Sequence, residues 1–276
     1  MKDMNIDAKA AAFRELHKPG EPFVIPNPWD AGSARIMEGL GFKALATTSS
    51  GFAMTLGRKD YGVTKDEALT HGAEIADAVE LPVNADLENG FGLKPEDAAD
   101  TIARACETGL AGGSIEDSTG DKQSPVIEDD ALAIARLEAA AGAGKNSGRD
   151  FVLTARAEAF LYGVGELDKV IARLNAFADA GADVLYAPGL PDMDAVRAVC
   201  AGVSKPVNIL ILGKLAEHAV AEFADAGAAR LSIGGGLAWN AYGTLGAATE
   251  MLNEGRFDML SANRDGAKKI ASFLKA

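Results

Sequence analysis

The sequence has few cysteines, a deficit of basic residues and no long apolar run, and each shortage argues against a class of protein. Its two cysteines, Cys106 and Cys200, lie in alanine-rich segments with a helical pattern, which favours free thiols over a disulfide. Lys and Arg number 27 against 40 Asp and Glu, and the net charge of −13 argues against a surface for nucleic acid or an anionic membrane. No apolar run approaches the roughly 20 residues of a membrane span, and the first residues lack a signal-peptide core. A cytoplasmic protein that contacts neither nucleic acid nor membrane is expected.

The pattern of apolar segments predicts eight strands that alternate with helices. Four helix-to-strand joints place a glycine directly after the helix, as at Gly181 and Gly227, and two others place a proline before the strand. Such alternation requires parallel pairing, and eight units over roughly 250 residues match a (β/α)8 TIM barrel. A doubly wound open sheet is the second choice. Residues 1–276 are predicted to form a single domain, with a short N-terminal helix and extra C-terminal helices.

The most informative stretch is the third strand, residues 83–92, which runs from apolar residues directly into acids and then glycine. Side chains alternate in an extended chain, so Asn84, Asp86 and Glu88 are expected on one side of it. Two carboxylates at a strand end suit a hard cation such as Mg²⁺. The alternative for this stretch alone is a solvated acidic loop.

The carboxyl ends of all strands in a (β/α)8 barrel meet at one mouth, where active sites lie. The polar residues that follow the strands are therefore expected to form one site. They are Thr48 and Ser49 from strand two, Asp60 from the loop after it, Asp86 and Glu88 from strand three, Glu116 from four, Arg156 from five, Asn208 from seven, and Gly234 and Gly235 after eight. Clustered acids repel one another unless a divalent cation lies among them. An arginine beside them is suited to a substrate carboxylate, through two hydrogen bonds.

Other residues bound the chemistry at this mouth. The three histidines fall in predicted helices, away from the strand ends, so none is expected to act in catalysis. No strand ends in lysine, which argues against a Schiff-base aldolase. Gly234 and Gly235 are typical of a phosphate-binding turn, and they favour a phosphate- or phosphonate-bearing substrate as a second hypothesis.

Four segments together resemble the phosphoenolpyruvate mutase/isocitrate lyase superfamily, namely residues 57–60, 84–92, 114–117 and 154–158. The resemblance covers about residues 20–260, and it is to the branch that is 2-methylisocitrate lyase-like or carboxyvinyl-carboxyphosphonate phosphorylmutase-like. It implies an Mg²⁺-dependent enzyme, with Mn²⁺ as the alternative metal. Asp86, Glu88 and Glu116 would hold the metal, and Glu88 stands where the family usually has aspartate.

The same resemblance implies the remaining roles. Asp60 would orient the metal's water shell or the reacting group, and with Glu116 and Arg156 it makes up the expected catalytic set. Arg156 and the backbone of Thr48 and Ser49 would bind the substrate carboxylate. A homo-oligomer is also implied, a dimer or tetramer that exchanges its last helices between neighbouring barrels.

The sequence departs from the family in the loop after Glu116. The isocitrate and methylisocitrate lyase branch carries a general-acid cysteine there, whereas residues 117–125 contain none, and Lys122 is the nearest match to the lysine-bearing loop of the phosphonate branch. The implied reaction is cleavage of a C–C bond in an α-keto or 2-hydroxy di- or tricarboxylic acid, through a metal-stabilised enolate, by retro-aldol cleavage or decarboxylation. A P–C bond mutase or hydrolase and a non-catalytic acid-binding barrel remain alternatives. The loop 117–127 is predicted to close over the site.

Overall fold

The computed structural model describes residues 6–120, 126–261 and 263–274, which form eight parallel strands surrounded by helices. The strands β1 to β8 span, in order, Phe23–Ile25, Leu45–Ala46, Val83–Asp86, Gly112–Glu116, Val152–Arg156, Val184–Tyr186, Val207–Leu210 and Arg230–Ser232. The helices α1 to α12 span, in order, Ile6–Glu15, Ala31–Gly39, Ser49–Thr55, Lys65–Ala78, Pro95–Cys106, Asp130–Asn146, Leu167–Asp179, Met193–Gly202, Val220–Asp225, Gly236–Gly243, Ala248–Glu254 and Arg264–Ala271.

The strands close into a barrel. Each strand from β2 to β7 pairs with the next in sequence, and β1 pairs in parallel with β8. The backbone N–H of Ala46 in β2 donates to the carbonyl of Pro26, which follows β1, at 3.1 Å. The predicted (β/α)8 barrel is confirmed, and the doubly wound sheet is excluded because β1 lies beside β8.

The two faces of the strands have opposite characters. Outward-facing residues such as Ile115, Leu153 and Leu185 belong to the buried apolar cluster that the strands form with the helices. Above the first layer, inward-facing residues of the same strands are polar: Ser114 lines the cavity, and Thr154 accepts from Arg230. Period-two alternation therefore separates a packed outer layer from a polar barrel interior.

The first helix closes the amino-terminal end of the barrel. Phe13 of α1 is fully buried, and it meets Phe23 of β1 edge-to-face with ring centroids 6.2 Å apart. The two residues share an apolar cluster with Val152 and Val184 at the start of β5 and β6. The cavity described below is therefore reached from the carboxyl end.

Three secondary-structure expectations are wrong in detail. The polar run at residues 47–51 predicts the end of strand two with a longer loop after it, but Thr48 caps α3, and its Oγ1 accepts from the Gly51 N–H at 3.2 Å. The pattern also predicts single helices near 214–226 and 237–253, and the structure divides each with a 3₁₀ turn, Gly213–Glu217 and Thr244–Ala247. Within the described ranges, no helix has the length and apolarity needed to cross a bilayer.

A buried ion pair fastens the loop after β3. Arg136 of α6 and Glu128 are both almost inaccessible to solvent, and their side chains are hydrogen-bonded. The same guanidinium donates to the carbonyl of Asn89 and, at 2.9 Å, to that of Gly92. The backbone that follows Glu88 is therefore held by a helix on the outside of the barrel.

We expect Arg136→Ala to lower the free energy of unfolding by about 3–5 kcal/mol, because it leaves the Glu128 carboxylate buried without a counter-charge. Urea denaturation followed by circular dichroism measures this. Arg197→Ala, which breaks an exposed pair with Asp194, serves as the control and should change stability little. Equal small effects for the two variants would show that the Arg136 pair contributes nothing beyond a surface contact.

Candidate active site

A cavity of about 150 Å³ opens at the carboxyl ends of the strands. It is lined by all the predicted site residues except Glu88 and Glu116, and those two belong to the charge cluster beside it. The lining members are Thr48, Ser49, Asp60, Asp86, Arg156, Asn208, Gly234 and Gly235. The strand ends therefore converge as the barrel geometry requires.

Arg156 is the centre of the cluster. Its Nε donates to Glu158 at 2.9 Å, its Nη1 to Asp86 at 2.9 Å, and its Nη2 lies 3.0 Å from Glu116. The guanidinium also lies over the ring of Tyr186, 5.2 Å from its centroid. One cation thus joins carboxylates from β3, from β4 and from Glu158 two residues after β5. The sequence offers Glu158 only as a structural partner of Arg156 and not as a member of the predicted site.

Burial and mutual repulsion perturb the ionisation of these groups. Burial raises the pKa of Glu116 well above its usual range, against the lowering effect of Arg156, and the carboxylates of Glu158 and Asp86 raise it further. Burial likewise raises the pKa of Glu158. Burial opposes the charge on Arg156, but the surrounding carboxylates outweigh it and raise the pKa of the guanidinium. Strong shifts of this kind are typical of functional sites.

Asp86 is oriented by the ends of two strands. Its backbone N–H donates to the Thr47 hydroxyl at 2.8 Å, and its Oδ2 accepts from the Ser49 N–H at 3.1 Å. Its Oδ1 accepts from Arg156. The Ser49 amide, expected to bind substrate, is therefore engaged by Asp86 in this structure.

Glu88 does not continue the strand. The expectation that Asp86 and Glu88 share one side of an extended chain is wrong, because β3 ends at Asp86 and Glu88 adopts a left-handed backbone with φ of 48°. That conformation is uncommon and costly for a residue with a side chain. A turn closed by the Gly90 N–H and the Leu87 carbonyl, at 2.8 Å, accommodates it.

The Glu88 side chain is buried and incompletely paired. It is 4% exposed, and its Oε1 has no hydrogen-bond partner among the described residues. Burial, with the nearby charges of Asp86 and Asp60, raises its pKa to about 8. Burial and Asp86 also raise the pKa of Asp60, while a hydrogen bond from the Ser49 side chain opposes this shift.

Tyr61 is a site residue that the sequence reasoning missed. Its hydroxyl donates to Glu116 Oε1, and it accepts from the Tyr162 hydroxyl at 3.2 Å. Like Glu88 it has a positive φ, 62°, so the loop after α3 places it by a strained turn. Its neighbour Asp60 was the only sequence signal at this point.

The residues at the mouth fit a hard divalent cation by their chemistry. No group of three or more His, Cys, Asp or Glu residues in the described chain is already arranged to hold a metal. Mg²⁺, however, is commonly held by one or two carboxylates together with water and substrate. Asp86 and Glu88, one with a buried unpartnered oxygen, offer such a pair.

The deep end of the cavity is polar as well. Asn208 of β7 is 1% exposed, and its Nδ2 donates to Ser232 at 2.9 Å. Beside it in register, Arg230 of β8 lines the cavity, and its Nη1 lies 3.3 Å from His17 Nε2. His17 Nδ1 is 2.8 Å from the Phe13 carbonyl, to which it can only donate, so Nε2 is left to accept from Arg230. Sequence reasoning missed Arg230 because it begins its strand rather than ending it.

A parallel barrel with an arginine-centred group of carboxylates at its mouth defines a class of site suited to small acids. The family model described as phosphoenolpyruvate phosphomutase matches residues 13–253. The chain therefore belongs to the phosphoenolpyruvate mutase family, as the sequence resemblance implied.

Individual relatives place the chain in a superfamily of lyases and mutases. It is 29% identical to 2-methylisocitrate lyase of Escherichia coli K12 over 211 residues, which are 74% of this chain and 70% of that one. A structure from Burkholderia cenocepacia J2315, provisionally assigned as a lyase/mutase, is 46% identical, with a TM-score of 0.88 and 96% of each chain covered. Oxaloacetate acetylhydrolase in complex with its product oxalate is 25% identical, with a TM-score of 0.80 and coverage of 96% and 95%.

The buried His17 should make the free energy of unfolding depend on pH. Burial, with the charge of Arg230, lowers its pKa to about 3, while the unfolded value is near 6.5. Because the unfolded chain binds the proton more readily, this stabilising contribution is complete above pH 6.5 and declines as pH falls towards 3. Between pH 7 and pH 5 wild type should lose about 2 kcal/mol more than His17→Gln. Parallel urea titrations at the two pH values measure this, and equal losses would contradict it.

Proposed function

We propose that this protein is an Mg²⁺-dependent lyase, with Mn²⁺ as the alternative metal, that cleaves a C–C bond of an α-keto or 2-hydroxy di- or tricarboxylic acid. The observation that carries the proposal is the group formed by Asp86, Glu116, Glu158 and Arg156 beside the unpartnered oxygen of Glu88. The chain is similar to 2-methylisocitrate lyase, whose name states such an acid, and to oxaloacetate acetylhydrolase, which has oxalate as its product.

The metal would be held by Asp86 and Glu88, with Glu116 beside them. When bound, it supplies Lewis-acid polarisation of the substrate's α-oxygen. Glu116 is held by Arg156 on one oxygen and by Tyr61 on the other. Its orientation is therefore fixed before any ligand arrives, which is the preorganisation that catalysis requires.

Arg156 retains donors for a substrate. Each terminal nitrogen of its guanidinium carries two hydrogens, and each is engaged by one carboxylate, Asp86 or Glu116. The remaining hydrogens are available to a substrate carboxylate at the mouth. Thr48 and the backbone at Gly234 and Gly235 complete the wall around that carboxylate.

The loop after β4 would exclude water from the reaction. Its base is tied by an antiparallel bridge between Ser118 and Ile127, while residues 121–125, including Lys122, lie outside the described residues. The Ser118 hydroxyl donates to Tyr162, whose own hydroxyl meets Tyr61. Closure of the loop 117–127 therefore remains a prediction from the sequence.

P–C bond chemistry on the same scaffold is the second candidate. Gly234 and Gly235 line the cavity directly before α10, where backbone donors suit a phosphonate oxygen. The two reactions are distinguished by their products, because phosphonate cleavage or transfer breaks a P–C bond and the lyase reaction breaks a C–C bond.

We expect a panel of α-keto, 2-hydroxy and phosphono acids, assayed with Mg²⁺, to yield pyruvate, glyoxylate or oxalate from at least one carboxylic acid. Asp86→Asn should lower kcat/KM at least about 100-fold, since it removes a charge on which metal and Arg156 both depend. Chelation of the metal should abolish turnover. Calorimetry supplies the second readout: if Mg²⁺ and Mn²⁺ bind wild type and Asp86→Asn equally, or not at all, the proposal fails.

We also propose that the chain forms a homo-oligomer, a dimer or tetramer, through its C-terminal helices. Large apolar side chains lie exposed there, namely Leu237, Trp239, Leu245, Leu252, Phe257, Leu260 and Leu274. An exposed patch of this kind marks a contact surface. The proposal includes exchange of the last helices between neighbouring barrels.

Paired substitution of Leu252 and Phe257 by Asp should shift the mass measured by light scattering towards that of the 28.5 kDa monomer. The physical reason is that a desolvated charge opposes an apolar contact. The matched control replaces the exposed Leu93 and Val164, in the loops before α5 and α7, by Asp and should leave the mass unchanged. A monomeric wild type would contradict the proposal.

A further inference from the structure

A second arginine lies deeper in the cavity than Arg156. Arg230 is the first residue of β8, and its Nη2 lies 3.3 Å from Thr154 Oγ1, one inward-facing layer below Arg156 on β5. Both arginines line the same cavity, together with Asp60 at the mouth. The cavity therefore runs from the acidic mouth down to Arg230.

Arg230 carries a buried charge without a counter-charge. It is 3% exposed, and no carboxylate pairs with it in residues 6–120, 126–261 or 263–274. Its contacts are the neutral Nε2 of His17 and the Thr154 hydroxyl, while its Nε has no partner. The adjacent Asn208 also has an unpartnered atom, Oδ1. Buried charges are ordinarily paired, so this part of the wall is incomplete without a polar ligand.

The contrast with Arg156 shows what is missing. Arg156 contacts three carboxylates of the chain, whereas Arg230 contacts none of those described. A water molecule would satisfy the free hydrogen-bonding atoms of Arg230 but would leave its charge uncompensated. Only an anion answers both needs, and a carboxylate matches the planar guanidinium. A cavity of about 150 Å³ has room for a small organic acid.

We propose that Arg230 binds a carboxylate at the deep end of the cavity, and that it selects acids bearing a second carboxylate remote from the metal end. This deepens the proposed function, on which its role in substrate choice rests, by naming the residue that would hold the second carboxylate of the acid. Binding itself requires neither metal nor turnover.

The test measures binding of succinate and of its monomethyl ester by calorimetry, in the presence of a chelator, so that no metal contributes. Wild type should bind succinate at least about tenfold more tightly than the ester, since a charge-assisted hydrogen bond is lost in the ester. Arg230→Met should remove this preference, and Arg230→Lys should keep part of it. Arg256→Met, an exposed arginine paired with Asp258, removes the same charge and should leave both affinities unchanged.

Three outcomes would overturn the inference. They are equal binding of diacid and ester by wild type, no binding of either, and an unchanged preference in Arg230→Met. If Arg230→Met does not fold, as judged by circular dichroism, the wild-type ratio and Arg230→Lys decide. If turnover occurs but shows no dependence of KM on Arg230, the inference fails while the lyase stands. If Arg230-dependent succinate binding occurs without turnover of any acid, the inference stands and the lyase proposal fails.

Discussion

The arrangement of the mouth depends on one guanidinium shared by three carboxylates. Asp86, Glu116 and Glu158 would repel one another if they were brought together without Arg156, and in a buried site that repulsion is weakly screened. A single arginine, however, leaves two negative charges uncompensated when all three acids are ionised. The group is therefore stable only if protons or a further cation supply the difference. Burial, with the added repulsion of Glu158 and Asp86, raises the pKa of Glu116 and so favours a proton there.

A network of hydrogen bonds and ion pairs connects the carboxylate partner of Arg156 that follows β5, through the outer helices, to the loop after β3. The Glu158 N–H donates to Asp117 at 2.8 Å, and Asp117 pairs with Arg173 of α7 at 2.6 Å. Arg173 also donates to the backbone of Glu128 at 2.9 Å, and Glu128 pairs with Arg136, which fastens the loop after β3. Contacts with the outer helices thereby fix the positions of the strand ends. The carboxylates at the mouth therefore cannot move apart to reduce their repulsion.

The sequence predicted the residues that follow from local patterns and missed those that depend on tertiary packing. Asp86, Glu116 and Arg156 could be predicted because each ends a strand, and parallel strands end on one side of the barrel. Glu88 was placed in the correct loop but with the wrong backbone, because periodicity cannot show that a strand stops two residues earlier. Tyr61 could not be found, since its hydroxyl reaches Glu116 only through the packing of a loop with no pattern of its own. Helix α3 was not predicted because it begins with Ser and Gly, which are poor helix formers.

The two arginines of the cavity have different consequences for an approaching acid. Arg156 lies among more negative charge than it carries, so a carboxylate approaching the mouth would meet repulsion unless a divalent cation reduced it. Arg230 meets no such competition, because its neighbours His17 and Thr154 are neutral. If both proposals hold, a dicarboxylic acid would be held first at its deep end, by the charge of Arg230, and its other end would then meet the acids and the metal. The barrel interior would determine which acids enter, while the mouth would determine which bond is broken.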